Sequence, residues 1–164
     1  MKKVLLTLAF GSLFAVSCSS VKKAESAQTS RAEFLKMKGD WEITSVNYDK
    51  GYQIKPFDEG ANAQCFVGSH WRLIPNNYSG AYTIKGGGNC PTVTQPIKFE
   101  VTRDNEFKFK KLVADTKAKN VTAGYILQIE KQDTDNFTLV QSVPFEGNVI
   151  KVYYNFVRTG MEQK

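Results

Sequence analysis

The chain predicts an all-β domain: eight strands wound into one antiparallel, up-and-down barrel, a calyx with a short helical lead-in. Three observations carry that expectation. Apolar residues recur at every second position in eight separate runs, the spacing of strands with one face buried. Several links between the runs are short and made of strong turn formers. No stretch inside the body has a convincing helical period.

Taken in order, the body opens with residues 32–38, one or two helical turns that bring Phe34, Leu35 and Met37 close to the domain. The period then changes. Trp41-Glu42-Ile43-Thr44 begins an alternating run that continues to about Tyr48. Further runs occupy residues 70–74, 81–85, 97–102, 107–112, 124–130, 137–142 and 149–158. The second, fourth and sixth links are hairpin-like: Pro75-Asn76-Asn77-Tyr78-Ser79-Gly80, Arg103-Asp104-Asn105-Glu106, and residues 131–136 with Asp133, Asp135 and Asn136. The first, third and fifth links, residues 49–69, 86–96 and 113–123, are much longer. In a meander, alternate links fall at opposite ends. Short links therefore gather at one rim and long ones at the other, giving a cup pinched at its base and ringed by loops at its mouth.

The inward positions are rich in aromatic rings: Trp41, Trp71, Tyr82, Phe99, Phe107, Phe109, Tyr125, Phe137, Tyr154 and Phe156. An eight-stranded barrel is wide enough either to be filled by side chains or to hold one small ligand. These rings are thus either the core itself or the walls of an apolar pocket lined by Trp71, Tyr82, Phe99, Phe107, Phe109, Tyr125, Phe137 and Tyr154. Ile43, Ser45, Ala123 and Gly124 suggest room near the open rim.

Catalysis finds little support in the residues. His70 is the only histidine and shares an outward face with Arg72, so a His-based mechanism would have to run through one exposed imidazole. The carboxylates are scattered, and none pair on inward positions of neighbouring strands as glycoside hydrolysis requires. Asp58-Glu59 reads as a solvated turn in the first link, and residues 98–100 and 106–111 as solvated strand faces. Gly86-Gly87-Gly88 reads as a flexible turn, because no helix start with Lys and Ser/Thr follows it to cradle phosphate. No enzyme, no metal site and no cofactor are expected.

The first eighteen residues carry a different message. Lys2 and Lys3 precede an apolar run from Val4 to Val16, and Ala15-Val16-Ser17-Cys18 ends it with small residues before a cysteine. This resembles a bacterial lipoprotein signal, and the run is too short to span a bilayer. The resemblance implies a leader at residues 1–17, cleavage before Cys18, and acyl chains such as palmitate on that cysteine. Several chains would anchor it stably. Residues 18–33, mostly Ser, Ala, Lys, Gln and Thr, read as a lipidated flexible tether, and residues 34–164 as the domain. Ser19 and Ser20, with no Asp directly after the cysteine, imply by the same likeness an outer-membrane address, at the periplasmic face or the cell surface. In that oxidising compartment Cys65 and Cys90 form an even pair, and a disulfide is their expected state. The formal charge is +6, two units of it on Lys2 and Lys3. Basic residues interleaved with acids in this way do not favour nucleic acid.

Gly39-Asp40-Trp41 opens the first strand after a short helical lead-in, and Arg158 sits near the end of the last. This resembles the lipocalin Gly-x-Trp signature with the arginine that packs across its tryptophan. Parity agrees, because Val152, Tyr154, Phe156 and Arg158 share one face, and a cation over an indole there would contribute on the order of 1 kcal/mol. The likeness covers residues 34–160 and is greatest to the small lipocalin-like lipoproteins of bacteria. It implies a lipid-anchored barrel of the cell envelope that binds a small hydrophobic molecule. The alternative from another class is a filled barrel whose rim loops bind an envelope protein or glycan.

Overall fold

Alternation along the chain translates into eight strands in the computed structural model, which describes residues 31–113, 117, 120–121 and 123–160. They are β1 (Gly39–Asn47), β2 (His70–Ile74), β3 (Ser79–Gly87), β4 (Cys90–Val101), β5 (Glu106–Lys111), β6 (Tyr125–Gln132), β7 (Asn136–Phe145) and β8 (Asn148–Gly160). Each pairs antiparallel with the next, and β1 pairs with β8, so the sheet closes into the expected barrel. Closure leaves no unpaired edge to blunt. Cys18, the leader before it and the tether up to residue 30 lie outside the described residues.

The pinched base forms as the parity of the links required. β2–β3, β4–β5 and β6–β7 are joined at one end by short turns. Asp133 organises the last of these by accepting from the backbone N–H groups of Asp135 (2.8 Å) and Asn136 (2.7 Å). The lead-in helix, residues 31–36, packs across this end. Its Phe34 ring is 5.5 Å from both Tyr78 and Phe99, and the carbonyl of Glu33 accepts from Gln132 Nε2 at 2.6 Å.

The mouth departs from expectation in one link. The third is not a long loop: β3 and β4 continue toward each other until Gly87 pairs with Cys90, leaving Gly88-Asn89 as a two-residue turn. Gly87 and Gly88 hold φ of +108° and +58°, values a side chain resists. The glycine run thus tightens a hairpin instead of loosening a loop, and Thr92, Val93 and Thr94 extend the ladder. The first link is long, as expected, and folds inward over the opening.

Strand β1 contains a second departure. Its register with β8 shifts between Ile43 and Ser45, where an extra residue bulges. Inward parity therefore passes from Ile43 to Val46, both buried. Ser45 faces outward and its hydroxyl accepts from Asn155 Nδ2 at 2.9 Å. It provides no room inside the barrel.

Candidate ligand site under the first loop

The barrel interior is built in two layers of rings. In the lower layer Trp41 meets Phe137 edge-on at 4.6 Å, Phe137 stacks on Phe156 at 4.3 Å, and Phe99 stacks on Phe107 at 5.2 Å. This is a close-packed floor. Arg158 seals it from below, its guanidinium carbon 4.1 Å from the centre of the Trp41 ring. Nε donates to Thr134 O (2.6 Å), Nη1 to Lys38 O (2.6 Å) and Nη2 to Lys36 O (2.8 Å). The indole N–H of Trp41 donates to Met37 O at 2.9 Å, so tryptophan and arginine both tie the lead-in to the base. Gly39 makes this possible twice over. Its φ is +135°, and a Cβ there would meet Arg158 Nη1 at 2.6 Å.

The upper layer holds Trp71, Tyr82, Phe109, Tyr125 and Tyr154, and here the first loop completes the interior. Phe57 enters from above and seats its ring 5.1–5.5 Å from the rings of Phe109, Tyr125, Phe66 and Tyr154. Phe66, from the same loop, reaches Tyr82 at 5.9 Å. Trp71 stacks on Tyr82 at 4.6 Å below them. Phe57 is 3% exposed and Phe66 fully buried, so two loop residues do what wall residues do elsewhere. All eight rings expected to line a pocket face inward and pack against other rings of the interior or against Phe57. Three of them, Phe99, Phe109 and Tyr125, also border a cleft of about 580 Å³ together with Lys98, Lys108 and Lys110.

A polar latch holds the plug down. Lys111 Nζ lies 2.6 Å from Glu59 Oε1 and donates to the carbonyl of Phe57 at 3.0 Å. The Tyr82 hydroxyl also donates to Glu59, and the Tyr125 hydroxyl donates to Asp58 Oδ2 at 2.7 Å. Burial, and then the neighbouring carboxylate, push both tyrosines far above the ordinary phenol range. They remain protonated donors at any physiological pH. The Glu59 side chain is only 7% exposed, which corrects its reading as part of a solvated turn. Lys111 is likewise not on a solvated face. It follows Phe107 and Phe109 at inward parity, so the pleat delivers its ammonium to the mouth. That alternation was visible in the sequence. The inward turn of Phe57 was not, because no periodicity governs a loop.

The loop's own anchors lie farther back. Cys65 and Cys90 form a disulfide that joins the loop to the β3–β4 hairpin, as expected of the pair. Ala63 N–H donates to Ile54 O at 2.8 Å, and Gln64 Nε2 to Val46 O at 2.9 Å. Phe57 and Asp58 themselves sit at φ +58° and +52°. For non-glycine residues, a bulky aromatic above all, such values are strained by roughly 1–3 kcal/mol each. The ring contacts and the latch hold them there.

His70, the only histidine, is outward and lies 3.4 Å from Asp40. Among the described residues no three His, Cys, Asp or Glu side chains converge as metal ligands would.

Outside the barrel, a cleft of about 680 Å³ runs between β1 and the first loop. Thr44, Asn47, Tyr48, Tyr52, Asn62 and Gln64 line it, with Lys50 its one charged residue.

No family model matches this chain, and no curated protein does. Among solved structures it is similar to bovine odorant-binding protein in complex with a selenium-containing odorant, at 11% identity and a TM-score of 0.44, covering 79% of this chain and 74% of that one. It is similar also to the bovine lipocalin allergen Bos d 2, at 12% identity and a TM-score of 0.44, covering 80% and 77%. A deswapped triple mutant of bovine odorant-binding protein follows at 12% and 0.40, covering 75% and 74%. The class of this protein rests on its own topology: a closed, eight-stranded antiparallel meander with a plugged base and a loop-covered mouth.

Proposed function

We propose that this protein is a non-enzymatic, lipid-anchored carrier of the bacterial envelope that takes a small hydrophobic molecule into the upper half of its barrel. One observation carries the ligand reading. The ring niche formed by Phe66, Phe109, Tyr125 and Tyr154 is occupied by a side chain that belongs to a loop, not to the wall. A wall ring cannot leave without breaking the sheet, whereas a strained loop ring can. Withdrawal of Phe57 would leave an apolar, ring-sized site with a few polar groups at its rim, the usual make-up of a small-molecule site. The lipobox-like Ala15-Val16-Ser17-Cys18 supports anchoring through Cys18 at the outer membrane.

A neutral apolar dye, N-phenyl-1-naphthylamine, tests this reading, because Trp71 stands one ring below the niche and can report on it. Saturable binding with quenching of tryptophan emission, together with an apolar compound recovered by solvent extraction of the purified protein, is the expected result. Dye uptake that never saturates, with nothing extracted, would reject it.

The second reading, a filled barrel that binds at its rim, is favoured by the cleft beside β1. Apart from Lys50 and two valines, its side chains are neutral hydrogen-bonding groups and two tyrosines, which suit a glycan better than a charged protein surface. A glycan that binds while the dye does not would select this reading.

A further inference from the structure

The segment Phe57-Asp58-Glu59 occupies the barrel mouth as a ligand would, and its chemistry describes what it keeps out. We infer that the site is built for a small carboxylic acid with an aromatic or comparable apolar body, which enters by displacing this segment. The body takes the niche of the Phe57 ring, and the carboxylate takes the place on Lys111 and Tyr82 now held by the loop. This rests on the reading of the barrel as a carrier and names its ligand class.

The atoms that Lys111 meets set the geometry. Its Nζ lies 3.0 Å from the carbonyl oxygen of Phe57 and 2.6 Å from Glu59 Oε1. From ring to Cβ to Cα to carbonyl, Phe57 has the skeleton of 3-phenylpropanoate. That molecule laid on Phe57 puts its ring among the same four aromatic neighbours and a carboxylate oxygen where Lys111 already finds an acceptor.

Charge supplies the second reason. Lys111 ends an inward series whose earlier members are Phe107 and Phe109, and its side chain is 20% exposed. When the loop lifts, Glu59 leaves with it. A half-buried ammonium then lacks its counter-ion, a costly arrangement that an incoming anion relieves and a neutral molecule does not. Tyr82 adds a hydroxyl donor to the same spot, and Tyr125, which loses Asp58, offers another. One cation and two hydroxyl donors, set above an aromatic floor, match a carboxylate on an apolar body.

The loop, being tethered, competes with any ligand, and the apparent affinity falls by the fraction of time the site stands open. Three proteins are therefore titrated with 3-phenylpropanoate and with its neutral counterpart 3-phenylpropan-1-ol, following the change in tryptophan emission: wild type, Phe57→Ala and Lys111→Met. The acid should bind Phe57→Ala about tenfold or more tighter than wild type, and should outbind the alcohol by about tenfold. In Lys111→Met that preference should vanish while alcohol binding persists. Tyr82→Phe, which keeps the ring, should lower the acid preference by a smaller factor, and competition against the dye on wild type provides the same comparison if a variant fails to fold. Equal binding of acid and alcohol, with the dye still bound, would overturn the anion assignment and leave the carrier reading standing. Failure of dye, acid and alcohol alike would remove both.

Discussion

Arg158 makes three hydrogen bonds to main-chain carbonyls and covers one indole, a set that no other side chain reproduces. Lysine keeps the charge but has neither the planar fork nor the reach to satisfy three acceptors at once. Arg158→Lys should therefore lower stability by about 2–3 kcal/mol, measured as a shift in urea midpoint at unchanged slope. Gly39→Ala should cost about as much for another reason, since the methyl group meets Nη1 and the φ of +135° no longer comes free. Asp133 has a pH signature. Backbone hydrogen bonds from Asp135 and Asn136 hold its carboxyl below the ordinary carboxylate range. Its contribution is complete above that ordinary range and is lost as pH falls through the lowered value. The gap in Tm between wild type and Asp133→Ala should accordingly be widest near neutrality and narrow on acidification.

Two kinds of link between elements govern the mouth. The disulfide fastens the first loop to the β3–β4 hairpin across a sequence separation of 25. Replacing both cysteines by alanine should cost roughly 3–4 kcal/mol in the chain-entropy model of cross-links. Because ring contacts and the latch also hold the loop, the barrel should remain folded, with its far-UV spectrum retained and its urea midpoint lowered. The β1 bulge acts more locally. It moves Val46 into the core and sends Ser45 out to Asn155, which no strictly alternating reading of the strand could foresee.

Across the whole molecule, the base and the mouth are packed with the same residue types under different constraints. Phe137 belongs to a strand and stacks on Phe156 and Trp41, so Phe137→Ala leaves a cavity that closed sheet cannot collapse and should cost about 3–5 kcal/mol. Phe57 belongs to a strained loop. Phe57→Ala gives up similar ring contacts, but a loop, unlike a closed sheet, can settle into the space left behind, so its cost should be clearly smaller, about 1–3 kcal/mol. Paired urea titrations check the contrast, and equal losses would show that the mouth is as rigid as the base.

Alternation and turn chemistry were enough to read eight strands, the pinched base and the inward rings, because each depends on neighbours in sequence or on the period of the pleat. Closure of the sheet was an expectation from the resemblance carried by Gly39, Trp41 and Arg158. The disulfide was readable from cysteine number together with the leader. The pairing of Lys111 with Glu59, the bulge in β1 and the inward turn of Phe57 were decided only by the tertiary structure. Each depends on which distant groups meet, and the pleat carries no record of a loop that folds back over the opening it spans.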